Sequence, residues 1–150
     1  MPLPFRLDEG IYFEDSGKLL PWGERLTAIE SLDEPLVTPT QISWRAKHCF
    51  GGQEVAVEVV KNAYYNTQGI VEFVSFNRNG VDPWQVFATY SGLFNQTIGP
   101  PTQAKDDGYG LPTHLWTRGE VQIIVGVGER FAEYAIFSIH KGKPFWNLNA

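Results

Sequence analysis

The stretch Glu54-Val-Ala-Val-Glu-Val-Val60 sets a valine at every second position from Val55 to Val59, with glutamate or alanine between them. Successive side chains of a strand point to opposite faces. Val55, Val57 and Val59 therefore share one face, and Glu54, Ala56 and Glu58 share the other. An antiparallel sheet can pack one face on a core and leave the other in water, and this run reads as such a strand. A second run, Glu120-Val-Gln-Ile-Ile-Val125, predicts the same arrangement, with Val121, Ile123 and Val125 inward and Glu120 and Gln122 outward.

Working outward from these runs, each is preceded by a tryptophan, Trp44 and Trp116, and each tryptophan by a proline-bearing loop. Ahead of the loops lie two segments with helical spacing. Trp22, Leu26, Ile29 and Leu32 follow Pro21, while Phe87, Tyr90 and Phe94 follow Pro83. Asp82 before Pro83 is a good N-cap with proline at the first helical position. Behind the alternating runs, Ile70-Val-Glu-Phe-Val-Ser-Phe76 aligns with Phe131-Ala-Glu-Tyr-Ala-Ile-Phe137, matching Glu72 to Glu133, Phe73 to Tyr134 and Phe76 to Phe137. A further strand is expected near Gly10–Glu14.

These observations predict one α+β domain over residues 1–150 with an internal pseudo-repeat, 10–80 and 81–143. Each half is expected to be a helix plus antiparallel strands, the two sharing one curved sheet with the helices on one face. The chain's 150 residues are enough to bury a core, and 43% apolar content with 14% aromatics fits a folded globular protein.

The formal net charge is −5. Duplex-binding proteins carry the opposite balance, so a nucleic-acid partner is not expected. No apolar run approaches the length of a membrane span, and Met1–Gly10 has neither a basic start nor an apolar stretch of signal-peptide length. A cytoplasmic location is expected. One cysteine, Cys49, supplies neither a disulfide nor a thiolate metal site.

Catalytic motifs are not apparent, and no cofactor is expected. Gly126-Val-Gly128 lacks the third glycine and the following helix of a dinucleotide fingerprint. His48 and Cys49 are adjacent, so on a strand they point to opposite faces and the thiol reads as buried and inert. His48, His114 and His140 show no metal-ligand spacing. Asp106-Asp107-Gly108-Tyr109-Gly110 reads as a turn, with an exposed interaction tip as its functional alternative.

The outward face of the expected sheet would carry Glu54, Glu58, Glu72, Gln122 and Glu133, with Phe76 and Phe137 on the same side. The tail Pro144-Phe-Trp-Asn-Leu148 is a candidate cover for the two phenylalanines. An acidic surface with aromatic anchors suits a basic protein partner. Asp106, Asp107 and Tyr109 complete the set of candidate partner-binding residues.

A strand, then Leu20-Pro21-Trp22-Gly23, then Trp44, Gly51-Gly52 and an alternating strand resembles small bacterial immunity proteins, the inhibitors encoded beside antibacterial toxins. The plan continues through Leu93-Phe-Asn-Gln-Thr-Ile-Gly-Pro-Pro101, Trp116 and Glu120-Val-Gln-Ile123, so the resemblance spans roughly 10–140. The tandem layout is also similar to that of the β-lactamase inhibitory proteins. The resemblance implies a protein that neutralises a cognate toxin by contact, without itself being an enzyme. It carries over no individual binding residue. The missing secretion signal implies a cytoplasmic target. Two other readings stay open: a small enzyme with a site assembled from Asp106, Asp107, His114 and Glu120, and a structural or adaptor domain.

Overall fold

The computed structural model describes residues 3–78, 80–106 and 108–142. The chain divides into two compact units between Arg78 and Asn79. Among the described residues no helix is long and apolar enough to cross a membrane.

The first unit is built on strands. After a 3-10 turn at Pro4–Arg6, β1 (Gly10–Phe13) and β2 (Lys18–Pro21) form a hairpin. A single helical turn, α1 (Leu26–Ile29), precedes β3 (Leu36–Val37), β4 (Gln41–Cys49), β5 (Gln53–Val60) and β6 (Phe73–Asn77). These four strands are paired antiparallel in the order β3-β4-β5-β6. The alternation in β5 produces the expected burial: Val55, Val57 and Val59 are buried, Glu54 is exposed and Glu58 is half-buried. A bulge between Trp44 and Lys47 resets the register of β4.

The second unit opens with a 15-residue helix, α2 (Pro83–Thr97). Pro83 stands in its first turn, and the Asp82 carboxylate accepts the Gln85 N–H. Four antiparallel strands follow, β7 (Gln103–Asp106), β8 (Pro112–Arg118), β9 (Val121–Arg130) and β10 (Ala132–Lys141), in the order β10-β9-β8-β7. Val86, Tyr90 and Phe94 form the buried side of α2. Phe137 of β10 packs on the Tyr90 ring at 4.4 Å, and Trp116 of β8 stands 5.8 Å from Phe94.

The α+β expectation of two helix-plus-strand units is therefore wrong: strands dominate, and among the described residues only α2 is a helix of any length. The spacing of Trp22, Leu26, Ile29 and Leu32 is a coincidence of two different contexts. The Trp22 indole N–H donates to the Leu7 carbonyl, and its backbone N–H to Glu9, so it belongs to the end of the β1–β2 hairpin. Arg25 then bridges Ile70, which delays the start of α1. Asp33 and Glu34, both at positive φ, turn the chain away soon after its end. What sits over the inner face of this unit's sheet is instead the hairpin, through Phe13, whose ring lies 5.3 Å from Trp44.

Four face assignments also fail, the first being Glu133, which lies on the same side of β10 as Phe137 and bonds Trp84 of α2 rather than facing away from the helix. Phe76 is paired with Val57, and cross-strand partners share a face, so it lies with the buried valines. Phe137 is paired with Val125 and is buried under α2. Gln122 is only 5% exposed, because β9 is buried without interruption from Val121 to Val127 and has no solvent face there. Its amide donates to Thr117 Oγ1. The expected cover by Pro144–Leu148 concerns a segment outside the described residues, as does the expected site residue Asp107.

Candidate interaction surface

The expected acidic residues take three separate settings. Glu54 and Glu58 share the outer face of β5: Glu54 lies opposite His48, its carboxylate 3.8 Å from Nε2, and Glu58 lies opposite Ser43 and Ser75. Glu72 precedes β6 and accepts a hydrogen bond from the Thr67 hydroxyl at 2.7 Å. Glu133 projects from β10, where Oε2 accepts the Trp84 indole N–H at 2.8 Å.

The loop after β7 has a turn's chemistry. Asp106 Oδ1 accepts the backbone N–H groups of Gly108 and Gly110 at 2.8 and 3.0 Å, which leaves Tyr109 90% exposed at the tip. His114 lies on β8, and its Nδ1 is 2.8 Å from the Ser91 hydroxyl of α2. The edge of its ring meets Phe87, and partial burial holds its pKa below the usual histidine value. Among the described residues no carboxylate is hydrogen-bonded to His114, so the structure does not join Asp106 or Glu120 to it. No cluster of three or more potential metal ligands occurs among the described residues.

Cys49 is buried, and its thiol is pushed up to about 12, first by burial and then by the charges of Glu14 and Asp15. A thiol so poorly ionised is a weak nucleophile. Beside it, Lys47 is almost fully buried between two carboxylates. Its ammonium contacts Asp15 at 3.0 Å and Asp33 more closely still, and Ser16 donates to Asp33 at 2.8 Å. This triad ties the β1–β2 turn and the segment after α1 to the bulge in β4. Hydrogen bonding from Lys47 lowers the pKa of Asp33. In Asp15 burial acts upward, but Lys47 and the His48 N–H outweigh it and the net shift is down. Burial acts downward on Lys47, and the two aspartates outweigh it and hold its pKa above the usual lysine value.

A groove of about 430 Å³ lies in the first unit between Pro39, Thr40, Val60, Lys61, Asn62 and Tyr65. Its one cation is already engaged, since Lys61 Nζ lies 3.0 Å from Glu30.

The feature that sequence reasoning missed is the end of the β9–β10 hairpin. Glu129, Arg130, Phe131, Ala132, Glu133 and Tyr134 are all exposed, and Phe131 is fully so. Arg130 pairs with Ala132, leaving Phe131 alone to turn the chain at φ 69°. Gly126 and Gly128, which do not complete a dinucleotide motif, both have a packing role on β9. A methyl group at Gly128 would lie 2.5 Å from Tyr134 Cζ, and one at Gly126 would lie 2.8 Å from the Pro112 carbonyl oxygen. Gly128 thus makes room for the Tyr134 ring, and Gly126 for the backbone of β8. The signal available in the sequence was Gly126-x-Gly128 followed by Glu-Arg-Phe, a strand that loses its apolar character before a turn.

No protein-family model matches the chain, and neither a curated protein nor a solved structure matches it.

Proposed function

We propose that the chain is an immunity protein: it binds a cognate bacterial toxin enzyme in the cytoplasm and neutralises it by protein–protein contact. The observation that carries this reading is the β9–β10 hairpin end, where two large aromatic side chains and two glutamates are held in solvent on a regular scaffold. Aromatic anchors within a polar surround are the usual source of binding energy at protein interfaces. The net charge of −5 favours encounter with a basic partner, and an enzyme that acts on phosphate-bearing substrates presents such a surface.

The test is expression of each reading frame adjacent to this gene in a laboratory host, alone and together with this chain. One neighbour is expected to arrest growth alone, to be tolerated in the presence of the chain, and to co-purify with it at a fixed stoichiometry. Neighbours that are all harmless, or a toxic neighbour that the chain neither binds nor silences, would remove the immunity reading.

A further inference from the structure

The outer part of the β9–β10 hairpin has the shape of a finger. Three cross-strand pairs, Gly128–Tyr134, Glu129–Glu133 and Arg130–Ala132, lie between the last buried residue of β9 and the tip. At about 3.4 Å per residue they project it roughly 10 Å. At its end the Phe131 ring makes no aromatic or hydrogen-bonded contact with any described residue. It also occupies a left-handed backbone position that glycine or asparagine adopts far more readily. In the free protein the ring gains nothing from burial, and its whole surface is open to a partner.

The flanks specify what that is. Glu129 and Glu133 stand directly opposite each other on one face, an arrangement that is unfavourable for like charges. Glu133 is positioned by the Trp84 indole, while Glu129 has no hydrogen-bond or ion-pair partner among the described residues. A cation placed between them would satisfy both. Tyr134, laid against Gly128, covers the opposite face of the hairpin with a half-exposed ring.

We propose that this hairpin is the anchor of the interface. Phe131 enters an apolar pocket in a concave surface of a protein partner, and a lysine or arginine on the rim of that pocket sits between Glu129 and Glu133. The inference rests on the binding function proposed above and adds to it the partner's geometry and chemistry: a cleft rather than a flat face, apolar at its floor and basic at its rim.

The experiment places the photo-crosslinking residue p-benzoyl-phenylalanine at position 131, or separately at position 54 on the outer face of β5. Each full-length variant is expressed in the source cells. Position 131 is expected to give one major crosslinked protein, with the attached peptide mapping to an apolar pocket beside lysine or arginine; position 54 is expected to give none. Crosslinking from 54 but not 131, from neither position, to another copy of this chain, or to a flat polar surface would overturn the proposal. A crosslinked partner that fits the geometry but is harmless when expressed alone would sustain the finger and sink the immunity reading, so the two failures are separable.

With that partner purified, Phe131→Gly, which suits the left-handed turn, is expected to weaken binding by roughly 30-fold or more, as loss of an anchor does. Glu129→Lys with Glu133→Lys is expected to weaken it about tenfold or more and to reduce its salt dependence. Wild-type affinity in Phe131→Gly would overturn the assignment. Thermal unfolding of that variant at the wild-type temperature would exclude loss of fold as the cause of weakened binding.

Discussion

Trp44 and Trp116 hold equivalent stations in the two units and are anchored by the same device. Each indole N–H donates to a backbone carbonyl in the connection after a helical element: Trp44 to Leu32 at 2.8 Å, Trp116 to Gly99 at 2.9 Å. Each lies on the first long strand of its sheet, and each is almost fully buried. The layer packed on them differs completely. In the second unit it is α2, whose Phe94 meets Trp116. In the first it is the β1–β2 hairpin, whose Phe13 meets Trp44, and α1 is reduced to one turn. A sheet with an inward tryptophan needs an apolar cover and a pinned connection, and either a helix or a hairpin can supply the cover.

The comparison breaks first if the covers are not equivalent in strength. Phe94 is fully buried and stands within aromatic contact of Trp116, Phe137 and Tyr90. Phe94→Ala removes that ring from a site with little room to collapse, and is expected to cost about 3–5 kcal/mol. Phe13→Ala should fall in the same range, since Phe13 is also fully buried and packs on Trp44. Urea unfolding monitored by tryptophan fluorescence measures both. A Phe13→Ala cost below about 1 kcal/mol would show that the hairpin is not the cover the geometry makes it.

The first unit has one feature the second lacks among the described residues, the buried Lys47 with its two aspartates. Lys47→Met keeps the stem and removes the charge, leaving Asp15 and Asp33 facing each other across the β4 bulge. The expected cost at pH 7 is about 2–3 kcal/mol, at the lower end for a broken buried pair because Asp15 is 31% exposed. The pH dependence gives the sign independently. Both carboxyl pKa values are depressed below 3.8, so their contribution is complete above that value and is lost as pH falls through the lower folded values. The Lys47 pKa is raised above 10.5, so its contribution is complete below that value and is lost as pH rises through the higher folded one. Wild type should therefore lose stability below pH 4 more steeply than Lys47→Met. Parallel acid limbs would show that the triad does not couple to folding.

The same contrast explains what could be read from the sequence. The β5 alternation was legible because that strand has one covered face. In β9 the same arithmetic misplaced Gln122, because seven consecutive residues there are buried and period two carries no information. Helix α2 announced itself through Asp82 and Pro83, local chemistry that does not depend on the rest of the chain. The single turn α1 looked longer because Trp22 happened to fall in phase, although its indole is claimed by Leu7, fifteen residues earlier. Such a contact is tertiary and has no local signature. Alignment with Ile70 makes Phe131 the start of a strand. Similarity of composition cannot distinguish a strand residue from the turn beside it, and the most exposed aromatic among the described residues was lost among core residues for that reason.

The smallest expected effect tests the shared device itself. Trp44→Phe and Trp116→Phe each keep an aromatic ring in the core and delete one indole N–H. Each leaves a carbonyl oxygen, of Leu32 or Gly99, without its donor. The hydrogen-bond loss is expected to cost about 1 kcal/mol in each unit, with a further contribution from the smaller ring. Because both bonds are of similar length and both indoles are buried, the two variants should be destabilised to within about 0.5 kcal/mol of each other in urea titrations. Equality would establish that the pinned connection is one structural solution used twice. A cost confined to Trp116→Phe would mean that the fifteen-residue helix needs its end held, whereas the loop after a single turn is already fixed by Asp33 through Ser16 and Lys47. In that case Trp44→Phe should become costly in the Lys47→Met background. That double variant decides between a common device and a redundant one, because coupling between Trp44 and Lys47 would appear as a departure from additivity.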